Sequence, residues 1–247
     1  MSNEVDYASI SPYTDEEAVK ALRRVAQNPF LPIVSKFLFP DEPFYTLRRL
    51  LKSINSIDEF QQVVMSKMIM TVIQRSSSGF TFDGIENVPK DRKFLAVSNH
   101  RDIILDPAMI QWTLFHNDLP LTEICVGSNL LESSRMVSDL LRSNRMIKVI
   151  RGISARELYL SSKLLSSYIR DRITSGGSSV WIAQREGRTN NGLDNTEQGL
   201  LKMFDMSGKG SFEENFNELN ILPMSISYEY ESCDIRKARE LLISRKQ

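Results

Sequence analysis

Phe94-Leu95-Ala96-Val97-Ser98-Asn99-His100-Arg101-Asp102-Ile103-Ile104-Leu105-Asp106 is the stretch on which the reading of this chain turns. Phe94 to Ser98 is a short apolar run bounded by polar residues, the pattern of a strand covered on both faces. His100 follows two residues later. A polar side chain just past the carboxyl end of such a strand stands where open α/β sheets gather their ligands. Asp102 and Asp106 lie close behind, and a carboxylate beside an imidazole holds the ring in one tautomer and stabilises its protonated form. Both also have plainer roles: His100 as a hydrogen-bonded turn residue, and Asp106, which precedes Pro107, as a helix N-cap. The other histidine, His116, falls at the polar end of the helix opened by Pro107 and is expected to be solvated.

Outward from this stretch the texture alternates. Expected strands are Phe80 to Phe82, Thr122 to Val126, Met146 to Ile150, Ser179 to Ala183 and Ile221 to Ser227. Expected helices are Pro107 to His116, one or two short ones across Leu130 to Leu141, a long one from Ser154 to about Thr174, Thr196 to Phe204, and a last from about Asp234. Strands alternating with helices predict an α/β fold with a largely parallel central sheet flanked by helices.

Upstream the pattern is helical. Residues 1 to 13 are polar and aperiodic and read as a loose arm. Thr14 caps a helix running to about Gln27, with Asp15, Glu16 and Glu17 in the first turn, where negative charge suits the helix dipole. The helix from Phe44 to Ser53 sets Arg48, Arg49 and Lys52 beside an apolar face. That face either packs on the core or meets anionic lipid headgroups. Ser56 and Glu59 read as a capping box ahead of the apolar run Val63 to Ile73. Ser76-Ser77-Ser78-Gly79 is the expected boundary between an N-terminal helical subdomain, residues 1–78, and an α/β core, residues 79–247.

Composition excludes some classes. With 31 Lys plus Arg against 31 Asp plus Glu, no global basic field argues for nucleic acid, so any anion site must be local. Two cysteines, Cys125 and Cys233, are too few for a disulfide framework and fit a reduced, cytoplasmic protein. No signal-peptide layout is present, and no apolar run approaches the ~20 residues that span a bilayer, so the chain is expected to be soluble or to lie on a membrane. Two histidines and two distant cysteines offer no metal-ligand set.

Three expected strand ends carry chemistry: His100 with its carboxylates, Arg151, and the turn Arg185-Glu186-Gly187-Arg188-Thr189. In a parallel sheet these carboxyl ends share one edge. Guanidinium groups bind phosphate through paired, charge-assisted hydrogen bonds, and glycine lets backbone approach a ligand. Taken singly, Arg151 and Arg188 read as surface ion-pair residues.

Asn99-His100-Arg101 with a downstream Asp resembles the His-x4-Asp motif of the glycerolipid acyltransferases, the lysophosphatidate-acyltransferase-like superfamily. Ile147 to Arg151 is similar to its second motif, Glu186-Gly187-Arg188-Thr189 to its third, Leu222-Pro223-Met224-Ser225-Ile226 to its fourth, and Gly84 to Pro89 to the turn before the first. There are departures. The carboxylates stand two and six residues after His100 where the family has its Asp at five, and Asp106 is favoured. The third motif is one residue short between Gly187 and Arg188, and Ser128-Asn129-Leu130-Leu131 lacks the family's lysine. Family members continue beyond the fourth motif, so an ending at Gln247 is expected to mark a short variant or a truncation.

The resemblance implies acyl transfer without a covalent acyl-enzyme. His100 would be general base, Asp106 or Asp102 its partner, and Asn99, Arg101, Arg151, Glu186, Gly187 and Arg188 would lie at the substrates. It implies no bound cofactor or metal, with acyl-CoA or acyl-carrier protein as co-substrate. The acceptor would be a lysophospholipid, 1-acylglycerol 3-phosphate first among them, with glycerol 3-phosphate or a lyso-aminolipid as alternatives. The expected location is cytoplasmic, peripheral on the cytoplasmic face of a membrane. A silent lipid-binding member of the fold and a thioesterase are the competing readings.

Overall fold

Five short strands, β1 (Leu95–Ser98), β2 (Glu123–Gly127), β3 (Met146–Val149), β4 (Val180–Ala183) and β5 (Ile221–Met224), form one sheet in the order β3-β2-β4-β1-β5. Every pairing is parallel. The computed structural model describes residues 6–151, 154–189 and 193–244. Residues 1–5, 152–153, 190–192 and 245–247 lie outside them, and with them the start of the expected arm.

Parallel pairing forces each connection to cross over, and helices make the crossings. They are α6 (Leu105–His116) after β1, α7 (Ser128–Leu131) and α8 (Arg135–Arg142) after β2, α9 (Ala155–Thr174) after β3, and α10 (Gln198–Asp205) with α11 (Phe212–Asn217) after β4; α12 (Asp234–Ser244) follows β5. Strand alternation sorts the core into two layers. Leu95, Val180 and Ile182 pack with Ile147, Leu165 and Ile169 on the α9 face. Ala96 and Trp181 pack with Phe94, Ile110 and Leu114 on the α6 face. β5 is an edge strand, and Pro223 is tolerated there because an edge leaves no ladder partner waiting for its missing N–H.

Ahead of the sheet run α1 (Asp15–Val25), α2 (Leu31–Leu38), α3 (Thr46–Ser53), α4 (Ile57–Phe60), a π-helical turn over Gln61–Met65, and α5 (Ser66–Ser76). They bury a cluster of their own that includes Leu22, Val25, Phe39, Leu51 and Phe60. Polar clamps tie them to α8 and its loop: Arg24 donates twice to buried Asp139, at 3.0 and 2.7 Å, and Gln61 Nε2 donates to Asn144 at 3.0 Å. Among the described residues no helix is long and apolar enough to cross a membrane.

Some expectations fail locally. Phe80 to Phe82 is not a strand: Phe80 meets Trp112 of α6 edge-on at 5.3 Å, and Phe82 is exposed. The Ser56 capping box is half formed, since Glu59 Oε2 accepts from Asn55 N while Glu59 N donates to Ser56 Oγ. α11 was not foreseen, although Ser211 and Glu214 form a complete capping box.

Candidate active site

His100 lies two residues beyond β1, and its loop is held from three sides. Its backbone N–H donates to Asp194 Oδ2 at 2.8 Å, its carbonyl accepts from Thr189 N at 3.0 Å, and its ring Nδ1 lies 2.9 Å from Asp106 Oδ2. A carboxylate oxygen only accepts, so Nδ1 carries the proton and Nε2 is the ring's free base.

The extra residue in the loop decides which carboxylate reaches the imidazole. Residues 103 and 104 turn into α6, so Asp106 falls in the helix's first turn and faces back along the chain. It is fully buried. Oδ2 also accepts the backbone N–H groups of Arg101 and Asp102, at 2.7 and 2.9 Å, and Oδ1 accepts from the Tyr228 hydroxyl at 2.8 Å. Asp102 is not at the imidazole. Its Oδ1 accepts from Ile104 N and Leu105 N, at 2.9 and 2.8 Å, and its Oδ2 from the Ser232 hydroxyl, so it holds the turn that enters α6 in the manner of a cap. Burial pushes the Asp102 carboxyl up, but the Leu105, Ser232 and Ile104 hydrogen bonds and the Arg188 charge outweigh it and hold it below the ordinary value. A depressed folded value gives stability that is present above the unfolded carboxyl pKa and is lost as pH falls through the folded one. Asp102→Asn is therefore expected to cost about 1 kcal/mol, the usual worth of a cap, in urea unfolding at pH 7. The difference from wild type should shrink in acid, and transfer activity should persist.

Two further residues expected at a substrate are spent elsewhere. Asn99 exchanges hydrogen bonds with the backbone of Ile226, Nδ2 to the carbonyl and Ile226 N to Oδ1, both at 2.8 Å. It continues the β1–β5 pairing past the strands, with both ends of its amide engaged by backbone. The Arg101 guanidinium pairs with Glu231.

The others converge. His100, Arg151, Arg185, Glu186, Gly187 and Arg188 all line one cavity of about 930 Å³. The Arg151 guanidinium crosses the end of β2 over Gly127 to reach Glu186, Nε to Oε1 at 3.6 Å. Arg188 Nη2 stands 3.8 Å from Glu240 Oε1 of α12. Both separations exceed hydrogen-bond length, so each guanidinium keeps donor capacity toward the cavity. Gly187 turns the chain at φ +68°, a conformation that disfavours a side chain. Behind this polar rim the lining is apolar. Trp181 and Ile182 both contribute, and as neighbours on β4 they point to opposite faces, so the cavity passes over the carboxyl end of the sheet and reaches both layers. Toward the helices it is lined by Phe30, Leu31, Val34, Ile103 and Ile104, several of them exposed.

Sequence reasoning missed Asp194, Tyr228 and Glu240. Each reaches the site from a distant segment, and no local pattern marks them. His116 is exposed, as its helix-end position implied. Among the described residues no group of three or more His, Cys, Asp or Glu could hold a metal ion. A protein-family model described as Acyltransferase matches residues 79–227, more than half of the chain. No curated protein matches.

Proposed function

The chain belongs to the Acyltransferase family, that of the glycerolipid acyltransferases, and from that premise we propose that it moves a fatty acyl group from acyl-CoA or acyl-carrier protein to a lysophospholipid hydroxyl. 1-Acylglycerol 3-phosphate is the leading acceptor. One observation carries this reading: a His100–Asp106 pair at the polar mouth of an otherwise apolar cavity, with Arg151, Arg185 and Arg188 on the same rim.

Nε2 of His100 takes the acceptor's hydroxyl proton as that oxygen attacks the thioester carbonyl. The new C–O bond forms, the C–S bond breaks, and the leaving thiolate recovers the proton from the imidazolium. Asp106 stabilises that imidazolium and keeps the ring in place. The guanidinium groups hold a substrate phosphate, which trades translational freedom for alignment. A cavity that reaches both sheet faces has room for two chains. That favours an acceptor carrying an acyl chain of its own over bare glycerol 3-phosphate.

The reaction would run at a membrane surface on the cytoplasmic side. Exposed Phe30, Ile33, Phe37, Phe44 and Tyr45 stand close in sequence to Lys36, Arg48 and Arg49, and Phe30 also lines the cavity, so apolar contact, basic charge and the site's entrance coincide.

The direct test incubates the purified chain with a labelled long-chain acyl-CoA, and separately acyl-carrier protein, beside a panel of lysophospholipids and glycerol 3-phosphate. Esterified product with a lysophospholipid is expected. Thioester hydrolysis indifferent to acceptor would make the protein a thioesterase, and retention of lipid without transfer a binding protein. Gly127→Ala offers a finer check. Its Cβ would stand 2.6 Å from Asn129 Oδ1 and 3.1 Å from Arg151 Cζ, so the Asn129 side chain must shift and the guanidinium above it must give way slightly. The KM for a phosphate-bearing substrate is expected to rise about tenfold, the worth of a weakened charge-assisted contact.

A further inference from the structure

Tyr228 lies one residue past the family match, on the chain that continues from β5. The Asn99–Ile226 clamp fixes that continuation beside the end of β1, which delivers the Tyr228 hydroxyl to Asp106 Oδ1. The two carboxylate oxygens then have separate duties. Oδ2 gathers His100 and two backbone N–H groups, and Oδ1 is held by the phenol. Donors on both oxygens fix the plane of a buried carboxylate, and that plane sets the direction from which the imidazole is held.

We propose that Tyr228 is a positioning residue, the third member of a Tyr228–Asp106–His100 chain that orients the general base. The proposal rests on His100 acting in that role. Burial, with the Asp106 charge added, pushes the Tyr228 hydroxyl well above the ordinary phenol value, so it stays a donor throughout the working pH range. Without that hydroxyl, Oδ1 would be a buried, unpaired charged oxygen, free to turn toward another donor and carry the imidazole with it.

The test is a four-member cycle of wild type, Tyr228→Phe, Asp106→Asn and the double variant, each with its melting temperature, steady-state kinetics and ring 1H–15N spectra. The chain has two histidines, so His116→Gln assigns the His100 signals. Tyr228→Phe keeps the ring and is expected to lower kcat about tenfold, the rate equivalent of one hydrogen bond to a charged group. KM should stay within about twofold, because the hydroxyl touches no substrate. The His100 ring signals should shift. In the Asp106→Asn background the second substitution should cost nothing more, since a residue that acts through Asp106 has nothing left to act through. Unchanged kcat with unchanged ring signals, or losses that multiply across the cycle, would overturn the proposal. Absence of transfer by the wild type with any acceptor would instead sink the acyltransferase reading, and the ring spectra would then decide on Tyr228 alone.

Discussion

His100→Ala is expected to lower acyl transfer by about 10²–10⁴-fold, the span that general-base catalysis contributes, with the fold intact. The expectation of an intact fold comes from the loop's own bonding. His100 is held by its backbone, through Asp194 and Thr189, and neither bond involves the ring. Asp106 loses one partner but keeps Arg101 N, Asp102 N and the Tyr228 hydroxyl, so no buried carboxylate oxygen is stranded. Initial rates beside a thermal melt check this. An alanine variant that turns over near the wild-type rate would remove His100 from the mechanism, whereas loss of both rate and cooperative melting would make it a structural residue.

The largest stability effect is expected at Arg170 rather than in the site. Its guanidinium, 9% exposed, donates to the Phe204 carbonyl at 2.7 Å, the Asn215 carbonyl at 2.9 Å, Ser207 Oγ at 3.0 Å and Glu218 at 2.7 Å. One side chain on α9 thus satisfies the segment from α10 to α11 that leads into β5. Arg170→Met keeps the apolar stem and removes every donor. The Glu218 pair is half in solvent and counts for little, and Ser207 Oγ keeps the Ser166 hydroxyl as donor, but the Phe204 and Asn215 carbonyls lose the guanidinium. Unfolding free energy is expected to fall by roughly 3–5 kcal/mol, the cost of breaking a buried charged network. A shift in the urea midpoint with unchanged slope would show this, and a change under 1 kcal/mol would mean that water replaces the guanidinium.

The sheet was legible because its central strands β1 and β4 are largely buried and so read as apolar runs between polar ends. The same reasoning fails at Phe80 to Phe82, where Phe80 packs on Trp112 of α6 and Phe82 is exposed. His100, Arg151 and Arg188 could be gathered from their place after strands, since parallel topology brings carboxyl ends to one edge. The choice between Asp102 and Asp106 could not be made on spacing, because it depends on how two residues turn the loop into α6. Asn99 illustrates the converse: it sits beside His100 in the sequence, yet its side chain is used on the backbone of Ile226. Tyr228 and Glu240 are more than a hundred residues from the groups they complement or lie in another helix, and no periodicity points across such a gap.

The clamp between Asn99 and the end of β5 also bears on how the molecule reaches its working state. Asp106 and His100 are six residues apart and can meet as soon as α6 forms, whereas Asn99 and Ile226 are separated by 127 positions and Asp106 and Tyr228 by 122. Contacts of that span cost the most loop-closure entropy and form late in folding. During synthesis the imidazole and its carboxylate would emerge and pair while their phenol was still unmade. On refolding from urea, helical circular dichroism should therefore recover before turnover does, with docking of the edge strand as the slower step.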